Sequence, residues 1–468
     1  MITRTERIQF LLISAVLVCL GWGLRGYIGG GPLGAMIPGA FIALWLCLLL
    51  GADVRRAGIV AAFGAVGIGF GGEMTYGQTL GLLRDNDTLA WGLFGTVIKG
   101  GVWGLLGGAV LGVGFIQHRL SHRQLAGLLA AFLIATWLGI VLINHPKLIY
   151  FSDPVNKPRA ECWAGLLFGA LAILGLLRRQ GLAGIPRRFS LFGTAGGAAG
   201  FGIGGILMAI GSRVEAPLRD LPWWKFMEFT FGACLGLALG WCALTLRDQL
   251  RDAPESDPVK RCVPWRALAT VTVFIGLSLV AWNYTAEALI ERAQEIPLPG
   301  ITRPLLLVLF GYSALGTLLL LLAPRYNALA WHTAITMTFI ASVIDLLDDV
   351  GPESKVNLSS AMHWLLLFAA VMITAALVML WQRGSRPGLK PPLLGLIAGC
   401  MAVAFGRIMI DPSVITPNAV ELAAQPAYWC RFTAALADHG IVHGIFTATA
   451  LVSVAAIIHF TPHEKTSS

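Results

Sequence analysis

Five charged residues lie inside long apolar stretches in the first half of the chain: Arg25, Glu73, Lys99, Glu161 and Glu228. A charge at the centre of a bilayer costs about 2.5–3.5 kcal/mol on insertion scales, so such residues are functional candidates by default. Lys99 lies about ten residues into its apolar run, roughly 15 Å deep at 1.5 Å per residue. We interpret the five as candidate solute-binding residues and expect a Glu73–Lys99 ion pair near the midplane.

Simpler explanations exist for several of these residues. Arg25 could extend along the apolar surface and keep its guanidinium in water. Glu161 begins an apolar run, where the positive end of a helix dipole favours a carboxylate. The Glu73–Lys99 pair could hold helices together instead of lining a pathway for a solute or a proton.

A second polar cluster is predicted in the last part of the chain, where aspartates end one apolar run and histidines begin others. It comprises Asp345, Asp348, Asp349, His363, Arg407, Asp411, Asp438, His439 and His443. His439 and His443 are four residues apart, hence on one helical face, and could relay protons or, with nearby aspartates, hold a divalent metal. The spacing also fits a hydrogen-bonded pair, and we assign no metal and no cofactor. His332, farther from the cluster, is interpreted as a helix-packing histidine.

The elements that carry these residues are predicted to be membrane helices. Of the 468 residues, 56% are hydrophobic and 13% charged, against roughly 25% charged in soluble domains. Apolar runs of about 18 to 25 residues recur along the chain, and about 20 residues span the hydrocarbon as a helix. Because lipid offers no hydrogen-bond partner to a strand edge, we predict an all-α, polytopic bundle of about fourteen transmembrane helices.

The distribution of charge predicts the orientation of these helices. The chain has a formal charge of +9, and the short loops on the side of the N-terminus hold most of its basic residues but few of its acidic ones. Because an excess of Lys and Arg marks cytoplasmic loops, both termini are predicted to be cytoplasmic. The basic charge is therefore a topology signal, and no nucleic-acid partner is expected. The predicted location is the cell membrane, which in a bacterium is the inner membrane.

A tandem duplication is visible in the first half of the chain. The glycine-rich segment Gly64–Gly72 aligns with Gly197–Gly205, and similar matches flank both segments in the same order. The sequence thus predicts two parallel four-helix units at residues 1–121 and 122–248, a cytoplasmic linker at 249–266 and a six-helix region at 267–468. Parallel repeats of this kind are common in transporters. The glycine-rich run Gly21–Pro32 makes a poor helix and is predicted to break.

Three functions fit this pattern. The favoured interpretation is a transporter or permease for a small, polar, anionic solute that binds at the repeat interface. The first alternative is a membrane-embedded transferase or hydrolase that acts on a lipid-linked substrate at the outer face through the second cluster. The other is a structural membrane subunit. The expected partners are the lipid bilayer, a small-molecule solute and a second copy of the chain in a homo-oligomer.

Overall fold

The computed structural model describes residues 3–153, 159–251, 265–280, 302–350, 357–384, 387–410 and 427–460. In these ranges the chain forms helices and turns without any strand. The longer helices are numbered here in chain order: α1 (Arg4–Ile28), α2 (Gly31–Leu50), α3 (Val54–Gly71), α4 (Leu89–Arg119), α5 (His122–Asn144), α6 (Trp163–Arg179), α7 (Gly184–Gly211), α8 (Trp223–Thr245), α9 (Trp265–Val280), α10 (Thr302–Phe310), α11 (Tyr312–Leu322), α12 (Asn327–Val350), α13 (Ser360–Arg383), α14 (Lys390–Ile410), α15 (Tyr428–Asp438) and α16 (Gly440–His459).

Eleven helices of the described residues are long and apolar enough to cross a membrane, and there are up to twelve spans if the bent pair α10 and α11 counts as one. The chain is therefore a multi-pass membrane protein. The other predicted spans fall on α6, which has 17 residues, on α9, which has 16, and on the α10–α11 pair, which is bent by 41°. The total of fourteen and the orientation stay predictions.

The two predicted four-helix units are interlocked. In both units the first two helices pack together, as do the last two, but α2 lies along α3 whereas α6 has little contact with α7. The most extensive contact in the molecule joins α4 of the first unit to α7 of the second, and α8 packs against α1. The tandem repeat and its boundaries therefore stay predictions.

Glycines bring α4 and α7 into backbone contact. A Cβ added to Gly104 would collide with the carbonyl of Gly193, and one on Gly100 would collide with the carbonyl of Gly197. Small residues at such positions let membrane helices approach closely, where no hydrophobic force separates helix from lipid. The close contact between α4 and α7 therefore fixes the position of α4, the helix that carries Lys99.

The expected break across Gly21–Pro32 is shorter than predicted. Helix α1 continues to Ile28, and only Gly29 and Gly30 separate it from α2. The helical glycines serve packing, since a Cβ on Gly26 would collide with the carboxylate of Glu228. The cost of glycine in the helix is therefore offset by close contacts that a larger residue would prevent.

Helix α2 lies at the centre of the bundle. Its most apolar eighteen-residue window is 100% buried inside the protein, whereas the corresponding window of α13 is only 28% buried. Helices α1, α3, α8, α12 and α14 all contact α2. The N-terminus of this enclosed helix, at Gly31, opens on the candidate site.

Candidate functional site

A cavity of about 1010 Å³ opens at the end of the bundle that the charge pattern predicts to be outside. Its walls come from the α1–α2 junction, the turn after α3, the segment between α5 and α6, the α10–α11 break and the end of α12. The polar and glycine residues that line it are Gly29, Gly30, Gly31, Gly72, Glu73, Thr75, Thr136, Asn144, His145, Lys147, Arg159, Glu161, Arg303, Gly311, Ser313, Asp345 and Asp348. The turn between α1 and α2 at Gly29–Gly30 and the helix break at Gly311 thus meet in one space.

Glu73 caps the helix that begins after the break at Gly311. Its Oε1 accepts a hydrogen bond from the Ser313 backbone N–H at 3.0 Å, and its Oε2 accepts one from Ser313 Oγ at 2.5 Å. The Tyr312 backbone N–H also donates to this carboxylate. A negative charge here satisfies backbone donors that the break at Gly311 leaves unpaired and meets the positive end of the α11 dipole. Glu73 therefore holds the turn after α3 to the broken helix.

Lys99 forms an ion pair with Glu161. The predicted ion pair between Lys99 and Glu73 is not formed. Lys99 Nζ lies 2.8 Å from Glu161 Oε1, and both side chains are 1% exposed. The ammonium also donates to the Thr75 carbonyl at 2.5 Å and to Thr79 Oγ1 at 2.8 Å. Because an ammonium has three donors, Lys99 is fully satisfied by these contacts. It lies behind the cavity wall, whereas Glu161 forms part of that wall.

Two further donors hold the Glu161 carboxylate. Ser152 Oγ donates to its Oε1 at 2.8 Å, and the Phe151 backbone N–H donates to its Oε2 at 3.2 Å. Asn144 supports the same region, since its Oδ1 accepts from the backbone N–H groups of Ala164 and Gly165, each at 3.1 Å. The start of α6 is therefore held by a side chain from the end of α5.

Arg25 is directed into the protein and not toward water. It is 5% exposed, and its guanidinium carbon lies 5.7, 5.1 and 5.5 Å from the ring centres of Trp22, Tyr76 and Trp103. One guanidinium nitrogen donates to Tyr76 Oη, and the other lies 3.5 Å from the Gly31 carbonyl at the start of α2. Arg25 is thus an interior residue that does not line the cavity, with cation–π contacts in place of solvent.

Tyr76 connects Arg25 to the buried Glu228. Its hydroxyl lies 3.3 Å from Glu228 Oε1, which also accepts from Trp224 Nε1 at 3.0 Å. Lys225 Nζ pairs with Glu228 Oε2 at 2.7 Å and donates to the Gly26 carbonyl at 2.6 Å. Glu228 therefore neutralises Lys225, whose ammonium bonds α8 to α1, and Glu228 lies away from the cavity surface.

The segment 72–79, called the hub turn below, touches all three of these arrangements. Glu73 bonds to Ser313, Thr75 and Thr79 bond to Lys99, and Tyr76 bonds to Arg25. Five glycines precede it in α3, and the polar run that follows makes the turn. The hub turn therefore connects the broken helix, the Lys99–Glu161 pair and the Arg25–Glu228 network through hydrogen bonds.

The second polar cluster is organised by Arg407. One guanidinium nitrogen lies 2.7 Å from Asp345 Oδ2 and also donates to the Tyr27 carbonyl, while the other pairs with Asp349. The Gly30 backbone N–H donates to the Asp345 carboxylate as well. Arg407 therefore ties α12 and α14 to the turn between α1 and α2.

The histidines of this cluster lie in two places. His363 Nε2 is 3.9 Å from Asp348 Oδ1, whereas His439 Nε2 is 3.8 Å from Asp438 Oδ2. His443 Nδ1 lies 3.2 Å from the carbonyl of His439, and both of these histidine rings contact the ring of Tyr27. Within the described ranges no three His, Cys, Asp or Glu side chains come together in a way that could hold a metal ion.

The cavity thus takes residues from both predicted clusters. Glu73, Glu161, Asp345 and Asp348 line it. The predicted residues that do not line it are Arg25, Lys99, Glu228, Asp349, His363, Arg407, Asp438, His439 and His443. Asp411 lies outside the described residues.

Sequence reasoning missed the basic lining of the cavity. His145, Lys147, Arg159 and Arg303 all line it, and all belong to segments predicted to be outside. Lys and Arg are scarce in such segments when charge sets topology, so their presence there was an available signal. Asn144 and Ser313 carry no charge and gave no comparable signal.

Searches of protein-family models, of curated proteins and of solved structures found no match for this chain. The candidate site is therefore defined by its own geometry: one cavity, one helix break, one tight turn between two helices, paired acids in the wall and basic residues in the lining.

Proposed function

We propose that the protein is a secondary transporter for a small anionic solute, which binds in the cavity between the α1–α2 turn and the α10–α11 break. The observation that carries this proposal is the meeting of one interrupted helix pair, α10–α11, and the turn between α1 and α2 in one space of about 1010 Å³. Pockets for small molecules commonly have about 300–1,000 Å³. In transporters, half-helix ends near the substrate supply unpaired backbone groups for binding.

The balance of charge in the lining supports an anion. The four wall acids already have partners. Glu73 binds backbone and hydroxyl donors, and Glu161 binds Lys99. Asp345 binds Arg407, and Asp348 lies 3.9 Å from His363 Nε2. Lys147 and Arg159 form no ion pair with any acid among the described residues. These cations are therefore placed to attract an anionic solute to the cavity and to contact it there.

The hub turn supports movement during transport. It bonds to the broken helix through Glu73 and to the α5–α6 segment through Thr75, whose Oγ1 lies 3.3 Å from the Ala160 carbonyl. Opposite walls of the cavity are thus joined by one short segment. In the proposed cycle a bound solute draws these walls together, and the α1–α2 turn and the α10–α11 break absorb the change in backbone direction.

Counterflow in proteoliposomes tests the proposal. Labelled succinate, glutamate and inorganic phosphate serve as probes, and we expect exchange of at least one of them. The double variant Lys147→Gln with Arg159→Gln should raise the half-saturating concentration by about tenfold or more, equivalent to about 1.4 kcal/mol. Arg219→Gln is the matched control, because Arg219 is exposed on the same predicted side but does not line the cavity.

Two results would count against transport of an anion through this cavity. One is the absence of exchange for all three probes in folded protein. The other is exchange in which the double variant and the Arg219 control behave alike. Equal behaviour would mean that the basic lining does not contact the solute.

A second candidate, an enzyme acting at the cavity, is supported by one contact. Asp348 lines the cavity and lies 3.9 Å from His363, and a carboxylate beside a histidine can orient it as a general base. The experiment is incubation of the protein with lipid extracts and mass spectrometry of the products. Product formation that His363→Asn abolishes would favour the enzyme, whereas counterflow that survives this change favours the transporter.

A further inference from the structure

The basic residues of the cavity lie together at its mouth. His145 and Lys147 follow the end of α5, Arg159 precedes α6, and Arg303 lies at the start of α10. The first three are exposed, and all four belong to the side that the charge pattern predicts to be outside. These four residues are called the basic rim below. They supply the positive charge with which an anion entering the cavity first meets the protein.

Apolar side chains line the cavity next to this rim. On α5, Ile140 precedes Asn144 by four residues, and on α10, Leu306 and Leu307 follow Arg303 by three and four residues. One turn of helix therefore separates charged from apolar lining on both walls. The set called the apolar band below comprises Leu33, Ile140, Leu306, Leu307, Val308 and Ile344.

The size of the cavity shows that a solute bound only at the rim would leave much of the space to water. Its volume is about 1010 Å³, whereas pockets for small molecules commonly have about 300–1,000 Å³ and enclose most of the surface of the ligand. A small hydrophilic anion gains nothing from contact with the apolar band. A solute with an apolar body gains from it, because that body leaves water when it lies against Ile140 and Leu306.

Asn144 lies where the rim and the band meet. It is 4% exposed and lines the cavity. Its Oδ1 accepts two backbone hydrogen bonds at the start of α6, but its Nδ2 has no hydrogen-bond partner among the described residues. A buried donor without a partner is unfavourable. An acidic group that approaches from the rim brings oxygen acceptors to this end of the cavity.

Helix α10 has leucines on both of its faces. Leu306 and Leu307 line the cavity and are half-buried, whereas Leu305, Leu309 and Phe310 do not line it and are exposed. Exposed apolar side chains of a multi-pass membrane protein face lipid. Substitutions at Leu306 and Leu309 therefore test the two faces of one short helix separately.

We propose that the solute is an amphipathic organic anion, with one acidic group at the basic rim and an alkyl chain or ring in the apolar band. The inference rests on the proposed transport function and names the chemical class of the solute. The rim attracts and orients the acidic group, and the band removes the apolar body from water. Succinate is acidic at both ends and cannot use the band, so it should bind more weakly than an amphipathic anion.

Binding of straight-chain alkanesulfonates tests this class without any transport. The series from ethanesulfonate to octanesulfonate keeps one acidic group and lengthens only the apolar body. Protein in phosphatidylcholine nanodiscs is titrated by calorimetry, and the heat of empty nanodiscs is subtracted. We expect the Kd to fall by up to about fourfold for each added CH₂ group, and by about tenfold or more over the series. Equal Kd values at the two ends of the series would overturn the proposal.

Variants of the band and of the rim should act differently on this series. Leu306→Ala should weaken octanesulfonate by about fivefold more than ethanesulfonate, whereas Leu309→Ala, on the opposite face, should leave the ratio of the two Kd values unchanged. Ile140→Val serves if Leu306→Ala does not fold. The double variant Lys147→Gln with Arg159→Gln should weaken both sulfonates by a similar factor. If Leu306→Ala and Leu309→Ala give the same ratio as the native protein, the apolar body does not lie in the band.

Two further measurements identify the source of the anion and separate this inference from transport itself. Nanodiscs that contain phosphatidylglycerol should give the same ratio of Kd values, and loss of the chain-length dependence there would assign the band to an anionic membrane lipid instead of a free solute. In proteoliposomes, octanesulfonate should exchange at a lower half-saturating concentration than succinate. Exchange of succinate without any preference for octanesulfonate would refute the amphipathic class and leave the transporter intact. Chain-length-dependent binding without exchange of any anion would refute the transporter and support the class of ligand.

Discussion

The buried Lys99–Glu161 pair makes a quantitative prediction about stability. Its atoms are 2.8 Å apart, and at an effective dielectric constant of about 20 this separation corresponds to an attraction of about 6 kcal/mol. Desolvation of both charges offsets much of that figure, so the pair as a whole adds little to stability compared with apolar residues of the same size. Removing one partner is different, because it leaves an uncompensated buried charge.

We therefore expect Lys99→Met to lower the free energy of unfolding by about 3–5 kcal/mol. Glu161→Gln should cost a similar amount, since the ammonium keeps only the neutral acceptors Thr75 and Thr79. The double variant has no net charge at this place, so its loss should fall short of the sum of the single losses by about 2 kcal/mol or more.

The measurement is unfolding by SDS titration of the detergent-solubilised protein, followed through the fluorescence of its 15 tryptophans. Lys147→Met is the control, because it removes the same charge from an exposed position and should stay within about 0.5 kcal/mol of the native protein. If the losses at Lys99 and Glu161 add within about 0.5 kcal/mol, the two groups are not coupled and the reasoning fails.

Two further predictions concern the packing and the wall of the bundle. Gly104→Ala should destabilise the protein by about 1–3 kcal/mol, because its Cβ collides with the Gly193 carbonyl, whereas Gly127→Ala, which has open space in α5, should stabilise it by about 0.5–1 kcal/mol in the same titration. Equal effects of the two changes would argue against backbone contact between α4 and α7. Tyr76→Phe removes the hydroxyl between Arg25 and Glu228 and should cost about 1–3 kcal/mol, whereas Tyr326→Phe at an exposed position should have almost no effect; a harmless Tyr76→Phe would show that the network does not depend on this hydroxyl.

Membrane class and the presence of interior charges could be predicted from the sequence because both follow from the free energy of transfer into lipid. An apolar run of sufficient length must be helical there, and Lys99, Glu161 and Glu228 are buried charges with ion-pair partners. The choice of partner could not be predicted in this way. Lys99 is paired by Glu161, which precedes α6, because the hub turn aims Glu73 at the α11 terminus instead.

Helix interruptions and cavity lining were harder to predict for a different reason. Gly21, Gly23 and Gly26 lower helix propensity, but tertiary contacts with neighbouring helices override that preference. The basic lining comes from loops whose positions depend on how α5, α6 and α10 pack, and hydropathy contains no information about that packing. The unpaired Nε2 of His332 on α12 could not be predicted for the same reason. Its lack of a hydrogen-bond partner among the described residues becomes visible only when every neighbour is in place.

The enclosure of α2 has a consequence for biosynthesis. This helix has a mean hydropathy of 2.3 over its most apolar window, yet none of that window faces lipid in the finished protein. Membrane helices insert individually before they associate. Helix α2 therefore needs its high hydropathy for insertion, because its later neighbours, α8, α12 and α14, have not yet been translated at that point. Polar substitutions on α2 would therefore impair the transfer of this helix from the translocon into the membrane. Loss of expression would be their first observable effect, even where the mature bundle could accommodate the new side chain.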